Sequence, residues 1–382
     1  MKLMKNRPFP LLQVKRTLWS TKFQKEHYMK ILALNSSPRT DSHSKTKLLL
    51  CALTEGMGRA GGDVEVVDLR KKKIRPCIGC FTCWTKTPGV CIQKDDMSEE
   101  LFAKWMDAEL IVFATPVYHW TINAIMKTFI ERTLPCTEPF FVKDGERWNH
   151  PLRHKDKRYV ALAVAAFPED EVFSQVSSYF RFVFDEQLVA EIYRSASEMI
   201  VQSSYRYMLD DILKATERAG EELVRSLAVT PETRARIMQP VGDFGSFAKV
   251  GNAMWKTCID EGITPKEMEE QGIVPRPDSI ETFMLIMKMA FSPKEAADTD
   301  MTIQFVFTGE NPGSCFFVIA NGTCITHPGT GEHPDLTIEA PFDVWMDVIT
   351  GKVDGQKMFE EGTCRAGGNF LLIEQMNRLF GE

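Results

Sequence analysis

Long apolar runs are missing from this chain. No stretch of about 18 uncharged apolar residues occurs in its 382 residues, so no transmembrane helix is expected. Cysteine is sparse, 10 in the whole length, which excludes a small disulfide scaffold. Basic residues are not in excess. The 46 Lys and Arg face 52 Asp and Glu for a formal charge of −6, which argues against a general nucleic-acid binder. Internal repeats and low-complexity segments are also lacking. What is there, 44% hydrophobic and 26% charged residues, is the composition of a folded globular chain rather than a disordered one. The length suits two or three domains.

Charge is distributed unevenly. Residues 1–28 carry Lys2, Lys5, Arg7, Lys15, Arg16, Lys22 and Lys25 against Glu26 alone, a local +6. They read as an unstructured extension, or as sequence ahead of a start at Met29, with a basic transit peptide as the alternative. An apolar core of the kind a secretory signal needs is missing there, so the expected compartment is the cytoplasm. Residues 299–382 hold 12 acids and 4 bases.

From residue 29 to about 230, strand and helix patterns alternate. Strands are predicted at Ile31 to Leu34, Val64 to Asp68, Leu110 to Ala114, Tyr159 to Val164 and Leu188 to Tyr193. The third is apolar throughout, as in a parallel sheet buried on both faces. A helix carrying Leu48, Leu49, Ala52 and Leu53 is expected to stop at the glycine-rich stretch Gly56 to Gly62. Such alternation predicts an open α/β sheet with helices on both faces, and ligands at the carboxyl ends of its strands. Residues 231–278 read as a helical connector punctuated by proline. From 279 to 382, strands at Met301 to Phe307, Cys315 to Ala320 and Asp335 to Glu339 precede helices from Phe342 and Phe370, a separate α+β domain.

Three segments carry chemistry. In the first, Ser37, Arg39, Ser42, His43 and Ser44 lie between the first strand and its helix. Free backbone N–H groups, hydroxyls and a fixed charge there suit an anion, although a serine-rich helix cap would look the same. In the second, Pro116, Val117, Tyr118, His119 and Trp120 follow the third strand, where a proline-bearing turn can lie against a planar ring. His119 reads equally as a general acid or as a stacking residue. In the third, Cys77, Cys80, Cys83 and Cys91 form a C-x2-C-x2-C-x7-C loop. Four thiolates so close in sequence suit an iron–sulfur cluster or a four-coordinate metal. The other six cysteines read as packed thiols.

The first two segments together resemble the flavodoxin-like NAD(P)H-dependent FMN reductases over roughly residues 29–230. The resemblance implies a flavodoxin-like five-stranded parallel sheet, an FMN phosphate at Ser37-Pro38-Arg39 and Ser42-His43-Ser44, and the flavin ring at Pro116-Val117-Tyr118. It also implies a third flavin loop at Ala165-Ala166-Phe167-Pro168, where the family usually has glycines and this chain has none. The cysteine loop and Asp95-Asp96-Met97, which should cap the next helix, are similar to the iron–sulfur flavoprotein branch. That branch implies a [4Fe–4S] cluster exchanging electrons with FMN, whereas related reductases carry similar loops without one. Residues 280–382, through Asp335-Leu336-Thr337-Ile338 and Gly351-Lys352-Val353-Asp354, resemble a sterol-carrier-protein domain. A five-stranded sheet, helices and an apolar ligand in a tunnel are implied there, although the same residues read as a packed core.

The expected protein is an FMN enzyme with NAD(P)H as co-substrate and a small-molecule acceptor such as a quinone, free flavin or nitro compound. A homo-oligomer is expected, and nucleic-acid partners are not. Hydride transfer needs no general base, so no catalytic residue is nominated. An electron carrier with little NAD(P)H turnover, or a lipid-binding protein with a vestigial flavin site, would share these features.

Overall fold

The computed structural model describes residues 28–40, 43–154, 157–202 and 205–380. The basic extension up to residue 27 and Ser42 of the anion segment lie outside them.

The amino-terminal lobe begins with β1 (Lys30–Asn35), α1 (Lys45–Arg59) and β2 (Asp63–Asp68). After the cysteine loop come a π-turn over Met97–Leu101 and α2 (Phe102–Asp107). Then follow β3 (Leu110–Tyr118), β4 (Thr121–Ile122), α3 (Ala124–Glu131) and a hairpin of β5 (Val142–Asp144) with β6 (Arg147–Asn149). The lobe continues with β7 (Arg158–Val164), α4 (Ser174–Phe184), β8 (Leu188–Arg194) and α5 (Arg206–Ser226). Its main sheet runs β2-β1-β3-β7-β8, every neighbour parallel. All five predicted strands are present. The order is flavodoxin-like, and it reverses direction between β1 and β3, so their carboxyl ends frame the expected ligand crevice.

Two apolar layers sandwich the sheet. Leu32, Leu34, Ile111 and Phe113 face one side against Trp105, Phe129 and Phe180. Ile31, Ala33, Leu110 and Val112 face the other against Leu49, Leu53, Ala219 and Leu223. The period-two alternation of a strand sends its successive side chains to these two layers.

The glycines of α1 correct the sequence reading. The helix runs through Gly56 and Gly58 to Arg59, and only Ala60 to Gly62 turn. Gly56 sits where α1 crosses α5. A Cβ on it would lie 1.8 Å from the Glu217 carbonyl oxygen, and one on Gly220 would lie 2.1 Å from that of Leu53. These glycines let two backbones touch, which outweighs the roughly 1 kcal/mol that glycine costs within a helix.

The connector holds α6 (Pro231–Ile237), α7 (Phe244–Glu261) and α8 (Pro265–Glu270). Each starts as its sequence dictates: Thr230, Asp243 and Thr264 cap the three helices, and proline takes the first turn of α6 and α8. Ile237 of α6 is buried in the core of the amino-terminal lobe. Beyond the connector lie α9 (Ile280–Ala290), β9 (Met301–Thr308), β10 (Gly313–Ala320), β11 (Thr323–Pro328) and β12 (Leu336–Pro341). The chain finishes with α10 (Phe342–Ile349), α11 (Gly355–Glu360), β13 (Arg365–Gly368) and α12 (Leu371–Phe380).

These last strands form a second sheet, β11-β10-β9-β12-β13, the α+β lobe expected. Its pairs are antiparallel except β9 with β12, which run parallel. Where the family resemblance implies a tunnel, Phe283 lies with its ring centroid 5.1 Å from Phe305, 5.4 Å from Phe307 and 5.8 Å from Phe317. Arg276 ties the connector to α10 by a 3.0 Å bond from Nε to Asp347 Oδ1. No helix among the described residues is long and apolar enough to cross a membrane.

Candidate functional site

At the carboxyl end of β1 the chain leaves the sheet in a tight loop. Ser36 N and Oγ both donate to the Ala114 carbonyl, Ser37 N donates to Asn35 Oδ1, and Arg39 N donates to Ser37 Oγ. Ser44 caps α1, its Oγ accepting from Lys47 N. Ser37 and Ser44 are buried, each hydroxyl already accepting a backbone N–H and each keeping its own proton to donate. His43 turns away to the connector, its Nδ1 lying 3.8 Å from Glu269 Oε2.

A residue that sequence reasoning missed occupies the centre of this loop. Glu198, from the segment after β8, accepts from Arg39 Nη1 at 2.6 Å and pairs with Lys45 Nζ at 2.7 Å. Burial opposes its charge, but the bonds from Lys45 and Arg39 outweigh that and hold its carboxyl below the ordinary range. The two cations of this loop are therefore already paired with an anion supplied by the chain itself. Its partner Arg39 is 159 residues away in sequence, so no local motif could have shown it.

The second segment is a hairpin rather than an open turn. Val117 pairs with Ile122 and Tyr118 with Thr121, leaving His119 and Trp120 as the two-residue loop. Both are left-handed, at φ 49° and 68°. Left-handed conformations are what such a two-residue turn demands, and they cost about 1 kcal/mol for each non-glycine. The Trp120 ring stacks on Phe167 with centroids 5.5 Å apart and planes 22° apart. The loop after β7 thus meets the hairpin through an aromatic face. Pro116 and Val117 lie within β3, and Tyr118, His119 and Trp120 are exposed at its end. Asn123, also missed, joins the two segments: its Nδ2 donates to the Ser36 carbonyl at 2.7 Å while its Oδ1 caps α3.

Asp68, at the end of β2, braces the same crevice. It accepts from Asn35 Nδ2 at 2.9 Å and from Lys47 Nζ at 2.8 Å. Burial works against the charge, but the bonds from Lys47 and Asn35 win and depress its carboxyl to about 2. The unfolded carboxyl titrates near 3.9. A depressed carboxyl stabilises the fold fully above the unfolded value, and that contribution is lost as pH falls through the folded one. Asp68→Asn should therefore cost about 2 kcal/mol at neutral pH and flatten the loss of stability between about pH 4 and pH 2. Urea denaturation at several pH values checks this, and an unchanged acid profile would contradict it.

The cysteine loop forms a second centre. Cys77, Cys80, Cys83 and Cys91 all line one pocket, together with Phe81, Ile92 and Arg132. Left-handed Gly79 and Phe81, at φ 63° and 52°, curl the loop. Cys83 is buried, and burial together with the neighbouring cysteines pushes its thiol up. The exposed Cys80 is moved down by hydrogen bonds from Thr82. No three His, Cys, Asp or Glu among the described residues stand close enough to share one metal ion.

Asp95 plays a larger part than the expected helix cap. Its carboxylate takes both Arg132 nitrogens, Nη1 at 2.7 Å and Nη2 at 3.0 Å, and also accepts from Arg75 N. Only a long 3.4 Å contact reaches Ser98 N of the following helical turn. Asp96 instead accepts from Lys73 N.

The chain is a flavodoxin-like lobe with a serine-rich loop, an aromatic hairpin and a four-cysteine pocket, joined to a second α+β lobe. Comparison with known proteins gives two separate matches along the chain. Residues 29–167 match the family of NADPH-dependent FMN reductases, and residues 290–381 match the SCP-2 sterol transfer family. Among curated proteins, an iron–sulfur flavoprotein of Archaeoglobus fulgidus is 41% identical over 107 residues, 28% of this chain and 46% of that protein. One from Methanocaldococcus jannaschii is 32% identical over 116 residues, 30% of this chain and 58% of that protein. The chain thus spans about half the length of the curated relatives it matches. Among solved structures, an FMN-dependent NADH-azoreductase of Bacillus anthracis is 14% identical with a TM-score of 0.39, over 52% of this chain and 99% of that one.

Proposed function

We propose that this protein is an FMN-dependent oxidoreductase that draws electrons from NADH or NADPH and passes them to a small acceptor. The observation that carries the reading is the loop at the β1 end. Two cations, Arg39 and Lys45, converge there on one carboxylate, Glu198, at the start of α1. The donor set fits an anionic phosphate: Arg39, Lys45, and the hydroxyls of Ser37 and Ser44 beside a helix amino terminus. Tyr118, His119 and Trp120 would border the ring, with Phe167 stacked behind Trp120. Bound FMN would supply hydride acceptance and onward electron transfer. The chain's own part is to bind the phosphate, orient the ring through the strained hairpin, and cover one edge with the Trp120–Phe167 pair.

A [4Fe–4S] cluster on Cys77, Cys80, Cys83 and Cys91 belongs to the same proposal, supported by their shared cavity. That cavity also favours a second reading, an electron carrier with little direct NAD(P)H turnover. For the carboxyl-terminal lobe we propose an apolar ligand, supported by the match of residues 290–381 to the SCP-2 sterol transfer family. We place the functional boundaries at 29–230, 231–278 and 279–382, in a homo-oligomeric protein of the cytoplasm.

An anaerobic visible spectrum of the purified full chain tests the reading. Two flavin bands with a broad brown shoulder are expected, and bleaching by NADPH separates the enzyme from the carrier. Absence of flavin, together with no FMN uptake on titration, would sink both. Glu198 gives a sharper check. Because the phosphate must displace or share this carboxylate, Glu198→Gln should tighten FMN about tenfold, near 1.4 kcal/mol, and leave riboflavin little changed. Flavin fluorescence titrations measure both; equal effects on the two flavins would place the phosphate elsewhere.

A further inference from the structure

We propose that Arg132 is a positioning residue for the cysteine loop, a buried fixed cation that holds Cys91 and favours the more reduced state of a cluster bound there. The inference rests on reading that loop as a cluster site, and it adds a residue outside the cysteine motif.

The guanidinium is almost sealed, with 1% of its side chain exposed. A staple for Asp95 would need only the two carboxylate bonds. Arg132 does more. Nη1 also donates to the Arg75 carbonyl at 2.6 Å, and Nη2 lies 3.5 Å from Cys91 Sγ. Nε is buried and has no partner. Arg132 is the only positively charged side chain among the described residues lining the four-cysteine cavity.

The charge arithmetic gives the direction. Four thiolates in one loop concentrate negative charge, and adding one electron to a cluster held by them adds one more. A fixed cation in a low-dielectric pocket lowers the cost of that electron. Asp95 offsets part of that charge, and Nη2 serves both the carboxylate and Cys91 Sγ. It fixes the fork so that the Nη2 edge stays on the thiolate. Arginine suits this role because its planar fork can bind a carboxylate and still present a further donor.

The test uses the full chain with its cluster reconstituted anaerobically, and mediated redox titration followed by EPR. Arg132→Gln should shift the one-electron equilibrium at least tenfold away from reduction, which is about 59 mV lower in potential. Arg132→Lys keeps the charge and should shift it less than threefold. Iron and FMN content per chain are measured on each variant. Unchanged potentials in both variants would overturn the proposal, as would a Lys variant that shifts as far as Gln, since shape alone would then account for it. Should Arg132→Gln fail to fold, the Lys variant decides: a shift of tenfold or more overturns the role assigned to charge. A wild-type protein that takes up no iron would instead remove the cluster reading itself, an outcome distinct from unchanged potentials in iron-loaded variants.

Discussion

Cys83→Ser is expected to lose essentially all cluster iron, while Cys136→Ser keeps it. The two thiols make a matched pair. Both are buried, and they line adjoining cavities. Cys136 is pushed up to about 11 by burial, so it stays a neutral packed thiol. Cys83 is raised by burial and then by Cys91 and Cys80, which means its thiolate is unfavourable there unless a cation is bound. Metal binding supplies that cation and requires the deprotonated ligand. Serine keeps the size and removes the soft ligand. Iron analysis and visible absorbance after anaerobic reconstitution read the result. Equal iron in both variants would mean that Cys83 is not a ligand, and FMN content should be the same in both because the flavin loops are separate.

The second large effect is on stability. Gly220→Val should cost at least about 3 kcal/mol, near the upper end for overpacking and a large part of a typical folding free energy. A Cβ at this position would lie 2.1 Å from the Leu53 carbonyl oxygen and 2.8 Å from Met57 N. Both are backbone atoms, so no side chain can swing aside. The helices would have to separate, uncovering Leu49, Leu53, Ala219 and Leu223. Gly58 is the control. It lies in the same helix as Gly56, and nothing stands within 4 Å of its added Cβ. Gly58→Ala should therefore stabilise by up to about 1 kcal/mol through helix propensity alone. Urea midpoints for both variants check the pair. A Gly220→Val protein within 0.5 kcal/mol of the parent, a margin of roughly the size seen at neutral surface sites, would refute the crossing as described.

These glycines also mark where sequence legibility ended. Hydrophobic runs are a local property, and they disclosed all five strands of the first sheet and the central strands of the second. The cysteine spacing and the serine-rich loop are local as well. Gly56 was misread because a helix-breaking composition and a helix-crossing composition are identical until the partner helix is known. Glu198 and Arg132 were invisible for the same reason. Their meaning lies in Arg39 and Cys91, 159 and 41 positions away. The short strands β4 and β13 have too few residues for alternation to register, and Gly367 and Gly368 weaken β13 further.

The parallel pairing of β9 with β12 carries a kinetic consequence. Strand β9 gains its antiparallel neighbour β10 through a short turn, but its other edge stays open until Leu336–Pro341 have been made. Likewise β1 waits for Leu110–Tyr118 to close its second edge. Both sheets therefore place an early-synthesised strand in the interior and complete it late. Contacts of such long sequence separation slow folding, because loop-closure entropy is spent before they form. Each lobe thus leaves the ribosome with a bare apolar strand edge, and the interval before that edge is covered sets its exposure to aggregation.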